Sequence, residues 1–314
     1  MKHFLKENDF SNDEILEVFD RATNLKQSRK QGLANDLAGQ TWGLLFYKNS
    51  TRTRVSFEVG INELGGKAVL LDQKTTQIGR GESIHDTAKV LSRYLHGLII
   101  RTFEHEIIEE FADNADIPVV NALTNLLHPC QIYADCFSIA EKLGGSRDPF
   151  ESLAGKKLAF LGDTSCNMAN SWIMAGKIFG MKVSLAGPKD FAPKPDVDQL
   201  LNNEGIACNY QFTSDPNEAV RDADIVYTDV WVSMGSEEEE GSRIESMTPF
   251  AVTSKLLSQA KSEALFMHCM PTHPDMEVSQ EVLDSPQAII FDQAENRLHV
   301  QKAILAKLAS DSAT

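Results

Sequence analysis

Residues 42–66 read WGLLFYKNSTRTRVSFEVGINELGG, and the fold follows from how this stretch divides. Trp42-Gly-Leu-Leu-Phe-Tyr47 is a short apolar run of the kind that fills a strand buried on both faces. Val55, Phe57, Val59, Ile61 and Leu64 fit an amphipathic helix, closed by Gly65-Gly66. Ser50, Thr51, Arg52, Thr53 and Arg54 therefore occupy a strand-to-helix turn. There the free N–H groups and the positive end of the helix dipole face the same point as the arginine forks. Cations at a helix N-terminus oppose the dipole, so a pair of them implies a bound anion the size of a phosphate.

Working outward, short apolar runs at residues 42–47, 67–72, 97–102 and 118–123 alternate with helical patterns beginning near Thr51, Ser83, Glu106 and His128. This is the β–α alternation of a parallel sheet covered by helices. Gly144-Gly-Ser-Arg-Asp-Pro149 then breaks the pattern as a linker would. The alternation resumes with runs at 157–161, 183–186, 224–231 and 264–270. The expected fold is α/β, with two doubly wound parallel-sheet domains and the active site in the cleft between them. A last helical pattern, His299 to Leu308, fits against either domain.

Composition narrows the function. A chain of 314 residues with 42% hydrophobic content has enough length for a core in each of two domains. Its formal net charge of -15 disfavours nucleic acid or an anionic membrane as partner, since both need clustered Lys and Arg. Cysteines at 130, 136, 166, 208 and 269 form no CxxC pair and are odd in number, which points away from a disulfide framework or structural zinc. The charged N-terminus and the lack of any long apolar run lead us to expect a cytoplasmic protein.

Ligands of parallel sheets sit beyond the carboxyl ends of the strands, and the polar clusters all fall there. Ser50–Thr53 follow the first run, Arg101 ends the third, and Asn125 and His128 follow the fourth. In the second half, Asp163 and Asn167 follow one run, Asp229 and Ser233 another, and His268, Cys269 and Pro271 a third. His128-Pro129-Cys130-Gln131 opens a helix, with proline where its missing N–H costs nothing and with His128 and Gln131 on one face.

Ser-Thr-Arg-Thr-Arg, His-Pro-x-Gln, Asp229-Val-Trp-Val-Ser-Met-Gly235, His268-Cys-Met-Pro271 and Ala294-Glu-Asn-Arg297, in this order, resemble the aspartate/ornithine carbamoyltransferase family, on its ornithine side. The resemblance spans about residues 40 to 305. It implies a carbamoyl phosphate-binding domain at 1–145, with a C-terminal helix of about 295–314 packed back on it, and an ornithine-binding domain at 146–294. The implied reaction carries the carbamoyl group of carbamoyl phosphate to the side-chain amine of L-ornithine, giving L-citrulline and phosphate. No cofactor, metal or covalent intermediate is needed.

The resemblance also implies roles. Ser50, Thr51, Arg52 and Thr53 would hold the phosphate, with Arg101 reaching phosphate and carbonyl alike. His128 and Thr53 would hydrogen-bond the carbonyl oxygen, Gln131 and the backbone at Cys269 and Met270 the carbamoyl NH2, and Arg297 would complete the pocket. Asn167 and the backbone of Met234 would take the amino acid's α-carboxylate, Asp229 and Ser233 its α-amine, and Cys269 with Asp229 would orient the attacking amine. Arg101, His128, Cys269 and Asp229 are thus the expected catalytic set, Cys269 orienting rather than attacking. Arg54 is assigned to supporting the turn. Gln77 would reach a neighbouring subunit's phosphate, making the protein a homotrimer or a multiple of one, and Gly235–Gly241 reads as a lid.

Two departures from the family pattern stand out: Met270 and Thr272 after the cysteine, and Ser165-Cys166 before Asn167. An N-acylated ornithine or another amine is the alternative acceptor. A dinucleotide site is disfavoured, because Gly162-Asp-Thr-Ser-Cys-Asn lacks GxGxxG.

Overall fold

The computed structural model describes residues 2–32, 34–72, 81–144, 148–194, 210–232 and 240–312. The chain forms two compact units, Met1–Phe137 with Glu295–Thr314, and Ser138–Ala294.

The first unit is built on four parallel strands, β1 (Thr41–Phe46), β2 (Lys67–Asp72), β3 (Gly97–Arg101) and β4 (Val119–Leu123), in the order β2-β1-β3-β4. The central strand β1 buries Trp42, Leu44 and Leu45, as its unbroken apolar run requires. Gly97 faces Trp42 across the ladder: a Cβ there would stand 2.4 Å from the indole, so only glycine fits. The N-terminal segment extends the sheet, with Phe4 N–H donating to the Val119 carbonyl at 2.9 Å and Asn121 N–H donating to that of Phe4 at 2.8 Å.

Helices α1 (Asn12–Gln27), α2 (Thr51–Glu63), α3 (Ile84–Leu91), α4 (His105–Asn114) and α5 (Pro129–Leu143) cover this sheet or extend from it. Ser11 and Glu14 close α1 with a reciprocal capping box. Ser50 caps α2 by accepting the Thr53 N–H at 3.3 Å, so the hydroxyl-rich turn begins the helix. The C-terminal helix, Ile290–Ser312, buries Leu298, Val300, Ile304, Leu305 and Leu308. It lies against α2: a Cβ at Gly60 would stand 3.1 Å from Lys302 Cγ, and Lys302 Nζ donates to Glu63 Oε2 at 2.7 Å. That docking fixes where Arg297 falls.

The second unit carries five parallel strands, β5 (Lys157–Leu161), β6 (Lys182–Ala186), β7 (Tyr210–Thr213), β8 (Ile225–Thr228) and β9 (Leu265–His268), in the order β7-β6-β5-β8-β9. β7 is an edge strand outside the sequence expectation, too short and too exposed to leave an apolar run. Leu161, Val226, Phe266 and Val252 lie in one apolar core of this unit. After the short α6 (Pro149–Leu153), helix α7 (Asn167–Ile178) buries every residue from Met168 to Gly176, which makes Asn167 a fixed starting point. Among the described residues no helix is long and apolar enough to cross a membrane.

Candidate active site

In the first unit the carboxyl ends of β1, β3 and β4 present the residues singled out above. Thr53 is buried in the first turn of α2, and its Oγ1 accepts from two guanidinium groups, Arg297 Nη2 at 2.9 Å and Arg101 Nη1 at 3.4 Å. Arg101 is the last residue of β3, so the strand itself aims it. Two cations converging on one neutral hydroxyl create a strongly positive point, suited to a dianion. Ser50 flanks that point half-buried, while Thr51 and Arg52 are exposed. Arg54 turns to the surface, where its Nε lies 3.5 Å from Glu58 Oε2.

His128 and Gln131 open α5 and are both buried. Burial, reinforced by the charges of Arg297 and Arg101, drives the His128 pKa well below the usual 6.5. At neutral pH the imidazole is therefore uncharged and can offer an N–H without adding a further cation. Gln131 Nε2 donates to the buried carboxylate of Asp135 at 2.7 Å. Lys48, just past β1, is a nearby cation with no part in the sequence expectations. It donates to Asn125 Oδ1 and lies 4.3 Å from the Phe103 ring, and its pKa is lowered by burial and by Arg101.

In the second unit, Asp229 follows β8 and Cys269 follows β9, neighbouring strands whose ends bring the two together. Cys269 Sγ donates to Asp229 Oδ1 at 3.0 Å, and Val230 N–H donates to the same oxygen at 2.8 Å. Burial raises the Asp229 pKa above its usual 3.8, opposed by His268 and by these two hydrogen bonds. The result is a carboxylate that holds a proton more readily than a solvated one.

The turn after β9 has its own support. Met270 has φ +59°, a left-handed conformation that costs a non-glycine residue about 1 kcal/mol or more, and a cis bond links it to Pro271. Met270 N–H donates to His268 Nδ1 at 2.8 Å, and His268 Nε2 lies 3.4 Å from Glu277 Oε1. Glu277 accepts the His273 N–H, so one buried carboxylate lies beside both ends of the turn. Glu277 was invisible in the sequence because it belongs to no motif.

Asp163, Cys166 and Asn167 lie beyond β5. Asp163 accepts from Ser165 N–H at 2.9 Å and Ser165 Oγ at 2.7 Å, and pairs with Arg243, whose Nε donates to the Trp231 carbonyl at 2.9 Å. Burial, then the charges of Asp163 and Asp229, push the Cys166 thiol well above its usual range. Donor atoms of Asp229, His268 and Cys269 all lie within 4.8 Å of one another, close enough to share a metal ion. Hydrogen bonds already engage two of them, His268 through Nδ1 and Cys269 through Asp229. Gln77, Ser233, Met234 and most of the expected lid, residues 235–239, lie outside the described residues.

Two guanidinium groups on one hydroxyl in one parallel α/β unit, and a carboxylate–thiol pair at the strand ends of another, suit a group-transfer enzyme. Residues 2–141 match the carbamoyl-P binding domain of aspartate/ornithine carbamoyltransferase, and residues 154–308 match its Asp/Orn binding domain. The ornithine carbamoyltransferase of Syntrophus aciditrophicus is 49% identical over 92% of this chain and 93% of that protein. That of Methanoculleus marisnigri is 45% identical over 98% and 96%. Among solved structures, the ornithine carbamoyltransferase from Pyrococcus furiosus superposes with a TM-score of 0.87 at 40% identity, covering 97% of this chain and 96% of that one. The anabolic enzyme from Campylobacter jejuni gives 0.87 at 38%, covering 99% and 100%. The chain belongs to the aspartate/ornithine carbamoyltransferase family, and within it groups with the ornithine carbamoyltransferases.

Proposed function

We propose that this protein transfers the carbamoyl group of carbamoyl phosphate to the side-chain amine of L-ornithine, yielding L-citrulline and phosphate. The observation that carries the reading is the Thr53 hydroxyl, which receives both Arg101 and Arg297. Carbamoyl phosphate would place its phosphate among Ser50, Thr51, Arg52 and Thr53, and its carbonyl oxygen against Arg101, Thr53 and neutral His128. These donors are aimed where negative charge develops when the amine attacks. One preorganised donor of this kind is typically worth about 3–4 kcal/mol.

Ornithine would lie against Asp229, Ser233, the Met234 backbone and Asn167, with its amine oriented by Asp229 and Cys269. That amine, with a reference pKa of about 10.4, must lose a proton before it can attack. A phosphate oxygen of the donor or the Asp229–Cys269 pair takes it, and the raised pKa of Asp229 supports the second route. The enzyme would serve arginine metabolism in the cytoplasm, as a homotrimer or a multiple of one with Gln77 acting in trans.

The test is direct. Purified protein with carbamoyl phosphate is offered ornithine, N-acetylornithine, aspartate or putrescine, and phosphate and carbamoylated product are both measured. Turnover with ornithine in clear preference to the others is expected; its absence overturns the proposal.

A further inference from the structure

Gln131 is buried in the first turn of α5, and its amide makes one hydrogen bond that decides its orientation: Nε2 donates to Asp135 Oδ1 at 2.7 Å. The nitrogen end of the amide is therefore the end that faces the carboxylate. The planar amide then turns its oxygen away from Asp135, which sits one helical turn further along α5. Gln131 Oε1 is buried and accepts no hydrogen bond among the described residues. A buried amide oxygen is costly to leave unsatisfied, so a ligand N–H is the complement this position asks for.

The surroundings favour a neutral N–H over a second acceptor. His128 shares the helix face with Gln131, and Arg101 and Arg297 supply positive charge to His128. Arg101 and Arg297 can only donate, and neutral His128 can offer an N–H. Gln131 Oε1 is the exception, and Asp135 makes it so.

We propose that Asp135 is a positioning residue, which fixes the Gln131 amide with its oxygen toward the donor half-site and so makes that site select an acyl phosphate whose acyl carbon bears NH2 over one that bears CH3. The inference rests on the donor reading given above. Asp135 touches no substrate; it acts by removing the alternative orientation of Gln131. With that orientation removed, carbamoyl phosphate gains a hydrogen bond, while acetyl phosphate, nearly the same in shape and charge, leaves Oε1 buried against a methyl group.

The experiment compares two dissociation constants on the full chain, that of carbamoyl phosphate and that of acetyl phosphate, the second measured as inhibition of citrulline formation. In the unsubstituted protein acetyl phosphate should bind more weakly by on the order of tenfold or more, the factor that corresponds to one unsatisfied buried acceptor. Asp135→Ala removes the anchor, and the ratio should fall to within about twofold of unity, chiefly through weaker binding of carbamoyl phosphate. Asp135→Asn keeps the volume and can accept from or donate to Gln131, so its ratio should lie between the two. This isostere decides the matter if the alanine variant does not fold.

A purely structural role for Asp135 predicts that both constants shift together and the ratio holds; that result, or no change in either constant, overturns the inference. Absence of citrulline formation by the unsubstituted protein would instead sink the functional reading, so the two failures are distinguishable.

Discussion

Arg297 Nη2 donates to Thr53 Oγ1 across 2.9 Å, joining residues 244 positions apart through the packing of the C-terminal helix on α2. Arg101 Nη1 reaches the same oxygen from the end of β3. A single hydroxyl thus holds two guanidinium groups in register. If Thr53→Val removes that oxygen while keeping its shape, both arginines lose a shared acceptor and the site its focus. We expect kcat/KM for carbamoyl phosphate to fall by about 10²–10³, as for loss of an oxyanion donor. Steady-state kinetics with carbamoyl phosphate varied checks this; a change below about threefold would remove Thr53 from the machinery.

Arg101→Ala separates binding from chemistry. Arg101 stands at the hydroxyl and, through its charge, at His128. The expected outcome is a fall in kcat by about 10²–10³. An effect confined to KM would assign Arg101 to the phosphate alone.

Much of this arrangement was legible beforehand, and what was not has identifiable causes. The runs WGLLFY and GLIIR announced buried strands, and the polar clusters expected beyond them fall at the carboxyl ends of those strands. The C-terminal helix begins at Ile290, well before His299, because Gln293, Asn296 and Arg297 are polar yet buried and so broke the apolar pattern. Strand β7 was missed because YQFT is a half-exposed edge. Helical spacing put Gln131 on one face with His128 and the resemblance implied a role for it, but nothing in the sequence tied it to Asp135; helical spacing alone relates many such pairs. Glu277 meets His268 only once the turn after β9 is folded.

The docking of the C-terminal helix can be tested apart from the chemistry. Lys302 is almost fully buried, and Glu63 is 18% exposed, so the pair is more than a surface bridge. Its hydrogen bonds, with those from Arg29, outweigh burial and hold the Glu63 pKa below the usual value. Lys302→Met should cost about 1–3 kcal/mol in denaturant unfolding, because it leaves Glu63 partly buried without its main cation. It should also raise KM for carbamoyl phosphate, since Arg297 rides on the same helix. Unchanged KM with lowered stability would show that Arg297 keeps its place without that pair.

Acid stability follows from the buried histidines of the first unit. Burial lowers His105 and His299 to about 4, lowers His128 well below its usual value, and lowers His3 as well. Each folded pKa lies below the unfolded value of about 6.5, so the unfolded chain binds more protons between the two. The stability these groups contribute is therefore full above pH 6.5 and is lost as pH falls toward about 4. The slope is at most about 1.4 kcal/mol per pH unit for each histidine. Urea midpoints at pH 7.5, 6.0 and 5.0 should decline, and less steeply in His105→Gln. A flat profile would contradict the buried neutral imidazoles.

Met270 keeps its left-handed backbone while its N–H is bound by His268 Nδ1, and His268 Nε2 lies 3.4 Å from Glu277 Oε1. If this chain presents the Cys269–Met270 backbone to the carbamoyl NH2, its loss should appear in kcat. His268→Ala should lower kcat by about 10- to 100-fold, a misplacement effect rather than loss of a reacting group. His268→Asn, whose Oδ1 can take the place of Nδ1 as acceptor of the Met270 N–H, should recover much of that activity, which an acid–base role for the imidazole would not allow. Glu277→Gln retains an oxygen for both His268 and His273 and should be milder than Glu277→Ala. If His268→Asn is as impaired as His268→Ala, the hydrogen bond to Met270 is not what the histidine provides.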